Sequence, residues 1–226
     1  MKKVYLDNAA TTYPKPVSVI DSMAAFMRDI GCSPGRGGYS SALDAGRMVF
    51  GTRSLINDFF NGPGVDNVIF TQNITASLNI VMKGMFREGW HIITTSMEHN
   101  SVMRPLTSLK NNRKIDFSII NCSKDGMLNP EDIEKSIRPD TRAVVMTHAS
   151  NLTGTIMPVI EVGKICKAHN LIFILDSAQS AGTLDIDFKA MNLDVLAFTG
   201  HKGLLGPQGT GGFIISDRAA EITDSM

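Results

Sequence analysis

The sequence predicts an α/β fold, a mainly parallel sheet covered by helices. From residue 68 onward, short apolar runs alternate with longer amphipathic ones, the pattern of strands joined by crossover helices. One run, Leu171-Ile172-Phe173-Ile174-Leu175, is almost continuously apolar, as a strand buried on both faces requires. Polar and glycine-rich clusters follow several of these strands, and ligands in such folds collect at the carboxyl ends of the strands.

In chain order, Val4-Tyr5-Leu6 reads as a short strand ending in the polar, proline-closed loop from Asp7 to Pro16. Val17, Ile20, Met23, Ala24 and Met27 recur at helical spacing over residues 17–29. Gly31-Cys32-Ser33-Pro34-Gly35-Arg36-Gly37-Gly38-Tyr39 is a flexible loop. A second amphipathic helix spans residues 42–60, with Ala42, Ala45, Met48, Val49, Leu55, Ile56 and Phe59 on one face. Asn61-Gly62-Pro63-Gly64 stops it. Strands are then predicted at 68–70, 91–95, 115–120, 143–147, 171–175, 195–198 and 212–216. Helices are predicted at 75–87, 100–110, from Pro130, and at 158–168. Acidic residues in the first turn after Pro130 suit a helix N-terminus.

Composition narrows the function classes. The chain has 226 residues, 43% of them apolar and 19% charged, which fits a packed core. Its 22 basic and 22 acidic residues balance, so no nucleic-acid footprint or anionic membrane partner is expected. No apolar run approaches the roughly 20 residues of a membrane span. Met1-Lys2-Lys3 looks like the start of a leader, but no apolar stretch follows it. The three cysteines are far apart and form no metal pair, which fits a reduced, cytoplasmic setting. The histidines show no metal-ligand spacing, so no metal is expected. Nucleotide P-loop, dinucleotide GxGxxG, HExxH and GxSxG patterns are all missing.

The strand ends carry a particular set of groups. Thr71-Gln72-Asn73-Ile74-Thr75-Ala76-Ser77 leads into a helix, and a helix N-terminus with hydroxyls is a ready phosphate site. Asn73, Thr75 or Ser77 could cap it. His99 opens the next helix. Asp176 ends the most apolar strand, where a carboxylate is costly to bury without a cation. The turn after Thr147 adds Asn151. Thr199, His201 and Lys202 follow the strand at 195–198. A lysine shielded at a strand end has its pKa lowered and becomes an amine nucleophile. A phosphate cradle, a flat imidazole, a buried carboxylate and an amine are together what pyridoxal phosphate requires.

Four stretches carry a family resemblance: Tyr5-Leu6-Asp7-Asn8-Ala9-Ala10-Thr11-Thr12, Glu98-His99-Asn100-Ser101, Asp176-Ser177-Ala178-Gln179-Ser180-Ala181-Gly182, and Thr199-Gly200-His201-Lys202-Gly203-Leu204-Leu205-Gly206-Pro207. They resemble the class V aminotransferases of the fold-type I pyridoxal phosphate enzymes, and most closely the cysteine desulfurase and selenocysteine lyase branch. The resemblance implies that the chain is the cofactor-binding large domain, residues 1–226, with an N-terminal segment over about 1–41. It implies that Lys202 carries the cofactor and shuttles the Cα proton. Asp176 would pair with the ring nitrogen, His99 would stack on the ring, and Gln179 with Asn151 would meet its phenolic oxygen. Ile74, Thr75, Thr199 and His201 would hold the phosphate. Asn8 and Ala9 would lie near an amino-acid substrate. A homodimer and a sulfur-acceptor protein are the partners it implies.

The chain departs from that family in two places. Asn73 and Ala76 stand where relatives carry a glycine and an acidic residue. Relatives also continue into a small C-terminal domain that supplies a carboxylate-binding arginine and, in desulfurases, a nucleophilic cysteine. That domain is expected to be absent here, and Cys32, Cys122 and Cys166 do not stand in its place. The implied reaction takes L-cysteine to L-alanine and an enzyme-bound persulfide. An aminotransferase, a selenocysteine lyase, an epimerase or a catalytically silent cofactor-binding protein are the alternatives.

Overall fold

A computed structural model describes residues 4–113 and 115–224. Met1-Lys2-Lys3, the leader-like start, lies outside them, as do Ser225 and Met226. The elements are α1 (Val17–Ala25), continued by a π turn over Phe26–Ile30, α2 (Ser40–Phe59), a 3₁₀ turn (Val65–Asn67), β1 (Val68–Thr71), α3 (Ile74–Met85), β2 (His91–Thr95), α4 (Asn100–Arg113), β3 (Asp116–Ile120), α5 (Pro130–Lys135), β4 (Thr141–Thr147), α6 (Val159–Ala168), β5 (Ile172–Asp176), β6 (Val195–Thr199), β7 (Gly211–Ile215) and α7 (Asp217–Glu221).

The strands form one seven-stranded sheet in the order β1-β7-β6-β5-β4-β2-β3. β7 alone runs against its neighbours; β6, β5, β4, β2 and β3 pair in parallel. The expected α/β fold with a mainly parallel sheet is therefore the fold observed. The period of two along each strand sorts side chains onto two faces. Val144, Met146, Phe173, Leu175, Leu196 and Phe198 join one core cluster with Val162 and Cys166 of α6 and Ile133 of α5. Ala143, Val145, Ile174, Val195 and Ala197 join the other with Leu78, Val81 and Met82 of α3, Val102 and Leu106 of α4, and Ala219 of α7. Burying each such aliphatic or aromatic side chain contributes about 1.5–3 kcal/mol before chain entropy is counted.

Three expectations are corrected. Val4-Tyr5-Leu6 forms no strand: Val4 is 72% and Leu6 89% exposed, and none of the three residues pairs with a strand of the sheet. The helix at 17–29 forms, but its final turn is π, and Gly31 closes it at φ +53° by donating to the Phe26 carbonyl. The apolar face assigned to α2 divides. Ala42 and Ala45 are buried and Ile56 packs on the core, whereas Met48, Leu55 and Phe59 are exposed. α7 was not expected, because five residues are too few to show a period.

The sheet positions the site through its parallel strands. β2, β4, β5 and β6 all end at the same edge, so the turns after them meet there. Asp176 is level with Thr147 on one side and Ala197 on the other.

Candidate functional site

A cavity of about 360 Å³ opens at this edge. Its walls are the first turn of α3, the β2–α4 turn, the ends of β4, β5 and β6, and the N-terminal segment. Ala9, Ile74, Thr75, His99, Asn151, Asp176, Gln179, Thr199, His201 and Lys202 all line it. Asn8 does not. It lines an adjoining cavity of about 360 Å³ that shares Ala9, Asn151, Gln179 and Lys202 with the first.

The α3 end of the cavity is polar by construction. Asn73 is the cap: its Oδ1 accepts from the Ala76 N–H at 2.8 Å. The hydroxyls of Thr71 and Ser77 bond each other at 2.8 Å behind it. The N–H groups of Ile74 and Thr75 belong to the first turn, where no helix carbonyl is available to them. They therefore offer donors to an anion, reinforced by the positive end of the helix dipole. Asn73 does the capping with the same chemistry a serine or threonine would bring.

His99 caps α4. Its carbonyl accepts from the N–H groups of Val102 and Met103, and its Nδ1 accepts from the Ser101 N–H at 3.1 Å. The Ser101 hydroxyl lies 2.9 Å from the same nitrogen and also bonds Asp176. The imidazole is thereby held from its Nδ1 edge, and it lines the cavity.

Asp176 is 2% exposed. Burial raises its pKa, against the hydrogen bond its Oδ1 accepts from the Ala178 N–H at 2.9 Å and the nearby His99 and Lys202. Lys202 is half-buried. Burial lowers its pKa, and the Asp176 charge opposes that shift. His201 is likewise lowered, by burial first and then by the charges of Lys202 and Lys15. The two loops bearing Asp176 and Lys202 pack backbone to backbone. A Cβ on Gly182, whose φ is +83°, would stand 2.5 Å from the Gly203 carbonyl. Only glycine permits that approach.

Several contributors were not singled out from the sequence. Ser101 lines the cavity and lies inside the Glu98-His99-Asn100-Ser101 stretch, where a small hydroxyl two residues after a capping histidine was the available signal. Glu98 ties the turn to β4: its Oε1 accepts from the Thr95 hydroxyl at 2.6 Å and the Thr147 N–H at 3.0 Å. Its Oε2 is buried with no partner, and burial pushes its pKa up to about 8. Lys15 reaches the His201 carbonyl from the N-terminal segment, and nothing in its own spacing announced this.

Comparison with known proteins agrees with this arrangement. The sequence profile of the aminotransferase class-V family matches residues 4–225. A probable cysteine desulfurase of Methanothermobacter thermautotrophicus is 37% identical over 209 residues, covering 92% of this chain and 52% of the relative. One from Borreliella burgdorferi is 33% identical and covers 96% of this chain and 52% of the relative. The apo structure of a cysteine desulfurase from Thermococcus onnurineus superimposes with a TM-score of 0.93 at 32% identity, covering 98% of this chain and 55% of that one. The structure of SspA in complex with cysteine superimposes with a TM-score of 0.88 at 29% identity, covering 95% of this chain and 62% of that one. The chain thus spans about half the length of the curated relatives it matches. With its sheet, its strand-end motifs and a profile match over nearly its whole length, the chain belongs to the class-V aminotransferase family.

Proposed function

We propose that this chain is the cofactor-binding large domain of a pyridoxal-phosphate-dependent enzyme of the cysteine desulfurase type. One observation carries the reading: the Lys202 amine, the buried Asp176 carboxyl, the His99 ring and the open first turn of α3 line a single cavity. Its volume of about 360 Å³ lies within the range of small-molecule sites. The donor set fits the cofactor. A carboxyl whose pKa is raised by burial is a match for a protonated ring nitrogen, whose charge would favour the ionised form.

When bound, pyridoxal phosphate supplies an electron-withdrawing ring that stabilises negative charge at the Cα of an amino acid. Lys202 Nζ would hold its aldehyde carbon. Because burial favours the neutral amine, Lys202 is also suited to take and return the Cα proton. Asp176 would hold a proton on the ring nitrogen. His99 would stack on the ring, fixed by Ser101. Gln179, whose Nε2 donates to the Ala9 carbonyl at 3.0 Å, and Asn151 would face the phenolic oxygen. The N–H groups of Ile74 and Thr75, with the Thr75 and Thr199 hydroxyls and His201, would hold the phosphate. Asn8 and Ala9 would border the amino acid.

The overall reaction balances as L-cysteine plus an enzyme thiol giving L-alanine plus an enzyme persulfide. None of Cys32, Cys122 and Cys166 lines the cavity. Cys166 is buried in α6, and burial raises the thiol pKa of both Cys122 and Cys166. The sulfur-accepting thiol of this reading therefore comes from another segment or molecule. A homodimer, a sulfur-acceptor protein and a cytoplasmic location complete the proposal. Among the described residues no helix is long and apolar enough to cross a membrane.

The test is product formation. Protein loaded with pyridoxal phosphate is given L-cysteine and a small dithiol, and alanine is measured. Alanine appearing at a rate abolished by Lys202→Ala is the expected outcome. Cofactor binding with pyruvate or a racemised amino acid as the product would contradict the desulfurase reading and leave the cofactor reading standing.

A further inference from the structure

The N-terminal segment crosses the loop that carries Lys202, and its hydrogen bonds converge on one atom. Four donors lie within hydrogen-bond distance of the His201 carbonyl oxygen: the Thr12 N–H at 3.1 Å, the Thr11 hydroxyl at 3.0 Å, the Thr12 hydroxyl at 3.0 Å and the Lys15 ammonium at 2.6 Å. The Thr12 hydroxyl also lies 2.9 Å from the carbonyl of Lys202 itself. Thr11 meets His201 again, its Oγ1 lying 3.0 Å from Nδ1.

Lys15 differs from the other donors in three ways. It is the only charged one, and charge-assisted bonds are roughly twice as strong as neutral ones. It also donates to Thr12 Oγ1 at 2.7 Å, which occupies a lone pair there and turns the hydroxyl proton toward the loop carbonyls. And it stands between Pro14 and Pro16, so the backbone on both sides of it is restricted before the contact forms. Burial lowers its pKa, and among the described residues no carboxylate offsets that shift.

We infer that Lys15 is a positioning residue for Lys202, clamping the His201 carbonyl so that the lysine loop keeps one conformation. The inference rests on the proposed role of Lys202. Lys15 acts through the peptide next to Lys202 and touches no reacting atom. The loop has its own reporters. The Leu205 N–H bonds the Lys202 carbonyl at 2.8 Å, and the Gly206 N–H bonds the Gly200 carbonyl at 2.7 Å. Those amides exchange with solvent only when the loop opens.

The test compares wild type with Lys15→Met, which keeps length without a donor, and Lys15→Arg, which keeps the charged donor. Lys15→Leu, which also lacks a donor, replaces Lys15→Met if the latter does not fold. Hydrogen exchange at Leu205 and Gly206 is followed without cofactor, and capture of pyridoxal phosphate at Lys202 is followed separately by borohydride trapping. In Lys15→Met, exchange at both amides is expected to rise about tenfold and capture to slow about tenfold, the scale of one charge-assisted bond lost. Lys15→Arg is expected to restore both to within about threefold. Unchanged exchange in Lys15→Met overturns the inference. So does faster exchange that Lys15→Arg leaves unrescued, since packing would then be the cause, and so does faster exchange with capture at the wild-type rate. Wild type that captures no cofactor at all contradicts the proposed function, while the exchange result still decides whether Lys15 clamps the loop.

Discussion

The turns after β4, β5 and β6 are held by contacts within the chain, whereas α1 and α2 keep much of their apolar surface in solvent. Around Asp176 every strand residue is buried, and Gly182 and Gly203 bring two loops into backbone contact. In α1 no residue is buried, and Val17, Ile20 and Met23, with Met27 in the π turn, are all exposed. Leu43, Met48, Phe50, Leu55 and Phe59 of α2 add to the same exposed apolar surface. Both regions obey the helix and strand periods of the sequence. The difference is that periodicity says which side chains want cover, and only the sheet supplies it within these residues. Exposed apolar surface of this kind is typical of interaction sites, and the proposed second copy of the chain would cover it.

Four substitutions probe the contrast. Phe173 of β5 is fully buried against α6, so Phe173→Ala is expected to cost about 3–5 kcal/mol in urea unfolding. Glu98 should impose a pH dependence. Its folded pKa of about 8 lies above its ordinary value of 4.5, so the folded chain holds that proton longer than the unfolded chain does. Its contribution is complete below the ordinary value and is lost as pH rises through 8. Urea midpoints of wild type should therefore fall across that window, and Glu98→Gln should flatten the fall. Gly182→Ala forces a Cβ against the Gly203 carbonyl at a positive φ and is expected to cost about 1–3 kcal/mol, together with cofactor capture. Leu55→Ala, at a side chain 72% exposed, is expected to change monomer unfolding by less than about 0.5 kcal/mol. The same substitution should weaken dimer formation, measured by sedimentation, if α2 is part of the contact.

The strong sheet elements and the cavity lining were legible because both depend on local pattern. Leu171 to Leu175 reads as a doubly buried strand, and a carboxylate directly after it is costly to bury unless it meets a cation or caps the turn that follows. Asp176, His99 and Lys202 belong to motifs whose spacing placed them at strand ends, and parallel pairing of those strands put the ends together. Asn8 lines the adjoining cavity, and its Oδ1 accepts from the Tyr13 N–H at 3.4 Å. What the pattern left hidden depends on contacts far apart in sequence. Lys15 meets His201 across 186 residues. Glu98 meets the Thr147 N–H across 49, so its burial could not be inferred from its polar neighbours. Val4-Tyr5-Leu6 has strand-forming residues but pairs with no strand, and β propensity without a pairing partner makes no strand.

The central claim is that Lys202 is the amine that carries pyridoxal phosphate. The direct measurement is to incubate the folded chain with the cofactor, reduce with borohydride, digest, and map the added mass. The account predicts one dominant modified peptide, containing Lys202, and its loss when Asp176→Ala removes the buried carboxyl. Modification spread evenly over exposed lysines such as Lys124 and Lys189, with Lys202 unmodified, would contradict it.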